Sequence, residues 1–340
     1  MKRVELQEIA VIQGGGRLRL SGKDFVPRSE GFPAYGAGGL NGYVPIAEYS
    51  RDAVVLSSIG ARCGKCFLAK GSWTSLANTQ VILPDISNID PQFLWYQIND
   101  ERSWVRSGTG QPFIKPSDVK KRKILLPDLA EQRRIVRILR LADERLSRRR
   151  DQLADLRALE LSSWFKAAGR TGGSVVPLGN LVSWRSGNFL PSTARGGGEV
   201  PVYGANGIIG YTHESMVVNP TLIVGRVGAC GAVHVTSGPS WITDNALIAS
   251  FDETVISRTW LAASLGQADL AQYAVRSSQP SISGKRIAHV PIAIPAPEVQ
   301  REFCAVIDKI DEQRTRVERA LALEKQLFAS LRHRAFRGEL

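Results

Sequence analysis

Apolar and polar positions along this chain fall into two textures, and each texture occurs twice. In the first, short runs of β-branched and other apolar residues are bounded by Gly, Pro, Asn or Asp: AVVLSSI from Ala53 to Ile59, TQVILP from Thr79 to Pro84, TLIVGRV from Thr221 to Val227 and NALIASF from Asn245 to Phe251. Such runs predict strands separated by turns. Between them, apolar residues at roughly i, i+3, i+4 around Pro91 to Val105 and Val255 to Val275 predict helices. The second texture begins abruptly at Pro127 and again at Pro295, where Gly and Pro almost disappear and a long helix is expected, the first running to about Lys166.

The long helices carry heptads. Ile135, Leu139, Ala142, Leu146, Arg149, Leu153, Leu156 and Glu160 are spaced alternately by four and three, and so are Phe303, Ile307, Ile310, Arg314, Val317, Leu321, Glu324 and Phe328. The polar interruptions fall at different places in the two seams, so neither is a symmetric homodimer seam. Two amphipathic helices in one chain bury their stripes best on each other. With only Thr171–Gly172–Gly173–Ser174 joining the first helix to the second module, antiparallel packing is expected. At about 1.5 Å per residue this would make a rod of about 54 Å with a globular module at each end and an approximate internal two-fold axis.

The two halves also repeat residue for residue. YGAGGLNGY at Tyr35 to Tyr43 returns as YGANGIIGY at Tyr203 to Tyr211, an offset of 168 in a chain of 340 residues. The same offset pairs Gly60 with Gly228, Trp73 with Trp241, Gln111–Pro112 with Gln279–Pro280, Pro127 with Pro295, and Gln132–Arg133 with Gln300–Arg301. So long a period means duplication of a domain rather than a solenoid. The expected class is α+β, two tandem mixed α/β modules each followed by a long helix, the helices forming an antiparallel coiled coil. Boundaries are expected at 1–126, 127–170, 174–294 and 295–340.

Composition narrows the chemistry. A formal net charge of +12, from 44 Lys and Arg against 32 Asp and Glu, favours polyanionic partners. From Glu131 to Arg150 the first helix carries a marked arginine excess, able to line DNA or meet an acidic protein surface. No stretch approaches the roughly 18 apolar residues of a membrane span, and MKRVELQEIA lacks the apolar core of a signal peptide, so a cytoplasmic protein is expected. Cys63 and Cys66 form a CxxC whose repeat keeps only Cys230, which argues against zinc. Gly60 to Cys66 is one residue short of a phosphate-binding loop and has Cys where Ser or Thr should stand. The four histidines lack metal spacing, Asn219–Pro220–Thr221 is only a fragment of an amino-methyltransferase motif, and a triad of His234, Asp244 and a serine has no positive support. Catalytic and metal residues are therefore expected to be absent.

Candidate contacts lie on turns. Arg62 and Lys65, and Arg226 in the matching segment, occupy Gly-flanked loops that can place cations on guanine or phosphate, or simply leave them solvated. Gln111 with Lys115, and Gln279 with Lys285 and Arg286, precede the long helices; Gln can read adenine and Lys can anchor phosphate, although structural support is an equal reading. Lys121, within the basic run Lys120 to Lys123, is expected on a phosphate-facing patch. The glycines Gly36, Gly39, Gly42, Gly204, Gly207 and Gly210 read better as tight turns than as DNA contacts.

In this order and at this repeat, the Tyr-Gly segments, GTGQPFIKPSDVKKRKILLPDLAEQRRIV from Gly108 to Val136, its echo from Ser277 to Phe303 and the terminal AFRGEL together resemble the specificity subunits of type I restriction-modification systems. The second module reads IPAPEVQ where the family pattern is PLPPLxEQ, so Glu131 lacks an aligned acidic counterpart, with Glu298 nearby. The resemblance implies a non-catalytic subunit whose two target-recognition domains each read half of a split asymmetric site in double-stranded DNA. It further implies helices that set the half-site spacing and dock two methyltransferase subunits, and restriction/translocase subunits through them. Ile135, Leu139, Leu146, Leu153, Leu156, Phe303, Ile307, Ile310, Val317, Leu321 and Phe328 would serve that coiled coil and docking. No cofactor is expected on this chain; S-adenosylmethionine, ATP and magnesium would sit on the partners. Three other readings stay open: a type IIB-like assembly in which one partner both methylates and cuts, a coiled-coil scaffold for acidic proteins, and a hydrolase.

Overall fold

The computed structural model describes residues 2–108, 110–170, 173–275 and 278–340; Thr171 and Gly172 of the expected linker, and Ser277 at the start of the echo, lie outside them. The chain divides into two compact units that do not follow the order of the repeat. One combines the residues up to Arg150 with Arg319–Leu340, and the other is the continuous stretch Asp151–Glu318.

In the first unit, a four-stranded antiparallel sheet has the order Ala10–Gly14, Thr79–Pro84, Ala53–Ser57, Cys66–Ala69. The central strand Ala53–Ser57 is buried along its whole length, which is why its sequence is an unbroken apolar run rather than an alternation. A second sheet joins the hairpin Phe32–Gly36 and Gly39–Val44 to Thr74–Ser75, the last pairing parallel. Lys2–Glu5 pairs with Lys123–Leu126 immediately before the long helix. The second unit repeats all three: Val182–Ser186, Ala246–Phe251, Leu222–Gly225 and Val233–Val235 in one sheet, the hairpin Val200–Gly204 and Gly207–Thr212 with Trp241–Ile242 in another, and Ser174–Pro177 against Pro291–Ile294.

Strand pairing corrects the single offset. Ala34 pairs with Thr74, whereas Val202, its repeat at 168, pairs with Trp241. The counterpart of Trp241 is thus Thr74, and Trp73 matches Ser240. The slip arises in the loop before: the Cys63 thiol donates to the Ser58 carbonyl and the Cys230 thiol to that of Arg226, so the second loop is one residue shorter. A one-residue slip turns a side chain to the opposite face. Trp73 is fully buried and stacks on Tyr49 at 4.4 Å, while Trp241 is only half-buried.

The short helices are shorter than the apolar spacing predicts. Pro91–Ile98 starts at Asp90, whose carboxylate accepts from the amides of Gln92 and Phe93. It ends where the Ile98 carbonyl is taken by the Trp104 indole and the Asp100 amide, and Glu101–Ser103 forms a separate 3-10 turn. In the second unit Arg258–Gln267 is followed by Asp269 at φ +42 and a 3-10 turn, Leu270–Tyr273.

The long helices span Leu129–Gly169 and Pro297–Ala335. Each is fastened to its module by a repeated glutamine. Buried Gln132 accepts from the Asp90 amide at 2.8 Å and donates to the carbonyls of Asn88 and Pro127; Gln300 does the same with Ser257, Val255 and Pro295. Glu131 binds Arg134, and Glu298, though misaligned, binds Arg301 in the same i, i+3 geometry.

The helices pack antiparallel within each unit. In the first, Arg134 donates to the Leu340 carbonyl while Arg145 and Arg149 meet Glu324; in the second, Glu160 meets Arg314 and Arg170 meets Glu302. The offset polar interruptions of the two seams are therefore partners, Arg149 with Glu324 and Glu160 with Arg314. Such pairs fix the register of a seam more than they stabilise it. Ile135, Leu139 and Leu146 are buried in the first unit together with Leu321, and Phe303, Ile307 and Ile310 in the second, while Leu153, Leu156, Val317 and Phe328 are partly covered. Among the described residues no helix is long and apolar enough to cross a membrane.

Candidate nucleic-acid interface

Two segments far apart in sequence are stitched together in each unit, and they carry most of the candidate contacts. In the first, the Ile114 amide donates to the Ser58 carbonyl and the Gly60 amide to that of Pro112, each at 2.9 Å, with a further bridge between Ile59 and Phe113. This brings the loop bearing Arg62 and Lys65 against the stretch bearing Gln111 and Lys115. Gly60 at φ +102 and Gly64 at φ +98 make the loop possible, and a Cβ on Gly64 would approach the Glu101 carbonyl to 2.9 Å. Arg62, Gln111 and Lys115 are exposed. Lys65 is partly covered, its ammonium 5.7 Å from the Phe67 ring centre.

The basic run before the long helix does not act as one patch. Lys120, Lys121 and Lys123 are exposed, but Arg122 lies over Trp104 at 4.0 Å and donates to the Ser103 carbonyl and hydroxyl. Its burial pulls the guanidinium pKa down from the ordinary arginine value. Arg122 is a packing residue.

In the second unit the Ile282 amide donates to the Arg226 carbonyl at 2.8 Å and the Gly228 amide to that of Pro280. Because the Arg226 carbonyl occupies the place of the Ser58 carbonyl, the structural counterpart of Arg226 is Ser58, not Arg62. The Arg226 guanidinium is held by the Ser186 hydroxyl at 3.0 Å and the Asp244 carbonyl at 3.3 Å. It borders a cleft of about 450 Å³ with Trp184, Ser186, Ser283, Gly284 and Lys285. The indole nitrogen of Trp184 is buried there without a hydrogen-bond partner. Gln279 and Arg286 are exposed nearby in sequence. Sequence reasoning missed Trp184; its signal is a large aromatic in a strand, SWRS, whose neighbours are polar.

Of the other reactive groups, Cys63 and Cys66 are buried and His234 is half-buried. Burial pushes the Cys66 thiol up to about 12 and raises that of Cys63, so both are inert core thiols. Burial lowers the pKa of His234, whose Nε2 has no hydrogen-bond partner, Asp244 included. No group of three or more His, Cys, Asp or Glu suited to a metal occurs among the described residues.

Known proteins share this architecture. Residues 1–154 and 174–325 match the family model of the type I restriction modification DNA specificity domain. The chain is 27% identical over 255 residues to the type I restriction enzyme EcoprrI specificity subunit of Escherichia coli, covering 65% of this chain and 61% of that protein. Its fold is similar to the crystal structure of the type I restriction-modification system S subunit from M. genitalium, with a TM-score of 0.70 at 18% identity over 98% of this chain and 96% of the other. A chain from a structure on complex assembly and conformational transition of the type I R-M system gives 0.52, also at 18% identity, over 100% and 98% of the two chains.

Proposed function

The chain belongs to the type I restriction-modification DNA specificity family, and from that premise we propose that it is the recognition subunit of a methyltransferase and restriction complex. Each module reads one half of a split, asymmetric double-stranded DNA site. The observation that carries this reading is one scaffold bearing two unlike sets of side chains. Around the same pair of stitched segments, one unit offers Arg62, Lys65, Gln111 and Lys115, and the other offers Arg226, which lines a cleft with Lys285 and Trp184. Identical readers would select a symmetric site; unlike readers select an asymmetric one.

Chemistry belongs to partner chains. Methyltransferase subunits, with S-adenosylmethionine bound to them, dock on helix surfaces that the seam leaves open, and restriction subunits with ATP and magnesium join through them. Ile135, Leu139, Phe303 and Ile307 are already consumed by packing, so they hold the helices together rather than offer the docking face.

Arg226 is pre-organised by Ser186 and Asp244, which suits bidentate base or phosphate contact. In the assembled complex, Arg226→Ala is expected to weaken or relax one half-site by about 1–3 kcal/mol. Lys285→Ala should lower affinity on all sequences and reduce the slope of log K against log salt by about 1. Equilibrium binding across salt concentrations distinguishes the two. Unchanged affinity, specificity and slope in both variants would remove this cleft from the DNA interface.

A further inference from the structure

The glycine hairpins present a second feature beside these loops. In both units the framework is the same: Tyr35 and Gly36 match Tyr203 and Gly204, the strands share one register with a bulge at the same place, and the turn glycines Gly39 and Gly207 have φ of +113 and +94. A Cβ on Gly39 would press on the Phe67 ring at 2.9 Å, and a Cβ on Gly42 on the Phe25 ring at 2.6 Å; one on Gly210 would meet the Arg195 carbonyl at 2.6 Å. The three-residue glycine spacing is thus explained by turn geometry and close packing.

The hairpins differ at the turn, where Gly38 becomes Asn206, and at the two strand residues that follow the turn glycine, which together form the tip. Leu40 and Asn41 in the first become Ile208 and Ile209 in the second, with Leu40 52% exposed and the two isoleucines 49% and 44% exposed. Consecutive exposed isoleucines on a hairpin tip are a liability for association that sheet proteins ordinarily avoid with charge. The tips also adjoin the cation-bearing loops. Gly39 sits on Phe67, the ring over which Lys65 lies, and the Ala205 carbonyl would be 2.5 Å from a Cβ on Gly225, the residue before Arg226.

We propose that the hairpin tips are base-reading elements of the two modules. Ile208 and Ile209 pack against the C5-methyl groups of thymine in the major groove, and Asn41, beside Leu40, pairs with an adenine edge; the neighbouring cations hold the phosphates. This rests on the reading of the chain as a DNA specificity subunit. The tips are suited to the task because their side chains can be exchanged while the tyrosine and glycine framework stays fixed.

The test uses the full chain in its methyltransferase complex, mapping methylated sites genome-wide for the wild type, for the double variant Ile208→Ser/Ile209→Ser and for Leu40→Ser/Asn41→Ala, with thermal midpoints measured alongside. The expected result is relaxation in one half of the split motif for the first variant and in the other half for the second. Methylation of sites differing by one base there should rise about 4-fold to 10-fold relative to the wild type, at unchanged midpoints. A split motif that neither variant alters overturns the assignment of the tips alone. If the wild-type chain confers no split motif, the specificity-subunit reading fails and the tip assignment with it.

Discussion

Replacing Gln132 with leucine should lower the melting temperature of the first unit by about 10 °C, although the side chain touches neither the candidate interface nor a partner. Leucine keeps the volume but strands the Asp90 amide and the carbonyls of Asn88 and Pro127, all three of which the glutamine satisfies. A buried polar group left unpaired costs about 1–3 kcal/mol, and relaxation around the site brings the expected total to about 3–5 kcal/mol. For a unit of this size each kcal/mol moves the midpoint by about 2–4 °C. The Asp90 end of the clamp also caps helix Pro91–Ile98, so the helix start loosens with it. Gln300→Leu should do the same to the second unit through Ser257, Val255 and Pro295. Calorimetry on each variant reads this directly, and a shift below about 2 °C would show that the clamp is dispensable.

The two tryptophans at offset 168 should respond unequally to truncation. Trp73→Ala removes a fully buried ring stacked on Tyr49, edge-on to Tyr35, with its indole donating to the Arg51 carbonyl. Loss of such a core aromatic costs about 3–5 kcal/mol. Trp241 lies on the other face of the equivalent strand, half-buried, its indole donating to the Asn188 carbonyl. Its truncation should cost about 1–2 kcal/mol, mainly one hydrogen bond and part of a ring's burial. Denaturant unfolding compares them. Equal losses would mean that the one-residue slip between Gly60 and Cys63 has no energetic consequence.

That slip marks where the sequence ceases to be legible. The strand Thr79–Pro84 was legible to the residue because an apolar, β-branched run bounded by Asn and Asp has few other uses. The heptads were legible because period alone defines them. The pairing of Arg149 with Glu324 and of Glu160 with Arg314 was not, since it depends on the antiparallel register and each side chain looks like a defect in its own helix. A single offset hid the shorter second loop, because the identical glycines on either side tolerate a lost residue. At the candidate site, Arg62, Lys65, Gln111 and Lys115 were visible as residue types in turns, but only backbone hydrogen bonding brings their two segments together. Arg122 is indistinguishable in sequence from its lysine neighbours, and only the fold places Trp104 beneath it. The polar neighbours of Trp184 in SWRS are its one signal, and it is a weak one, because an aromatic in a strand is ordinarily core.

The central claim is that this chain confers DNA sequence specificity through two unlike readers. Genome-wide mapping of methylated adenines and cytosines in cells with and without the chain, its partner subunits held constant, tests it most directly. The predicted result is a split, asymmetric motif methylated only when the chain is present, and a methylation pattern that is the same in both cells would contradict it.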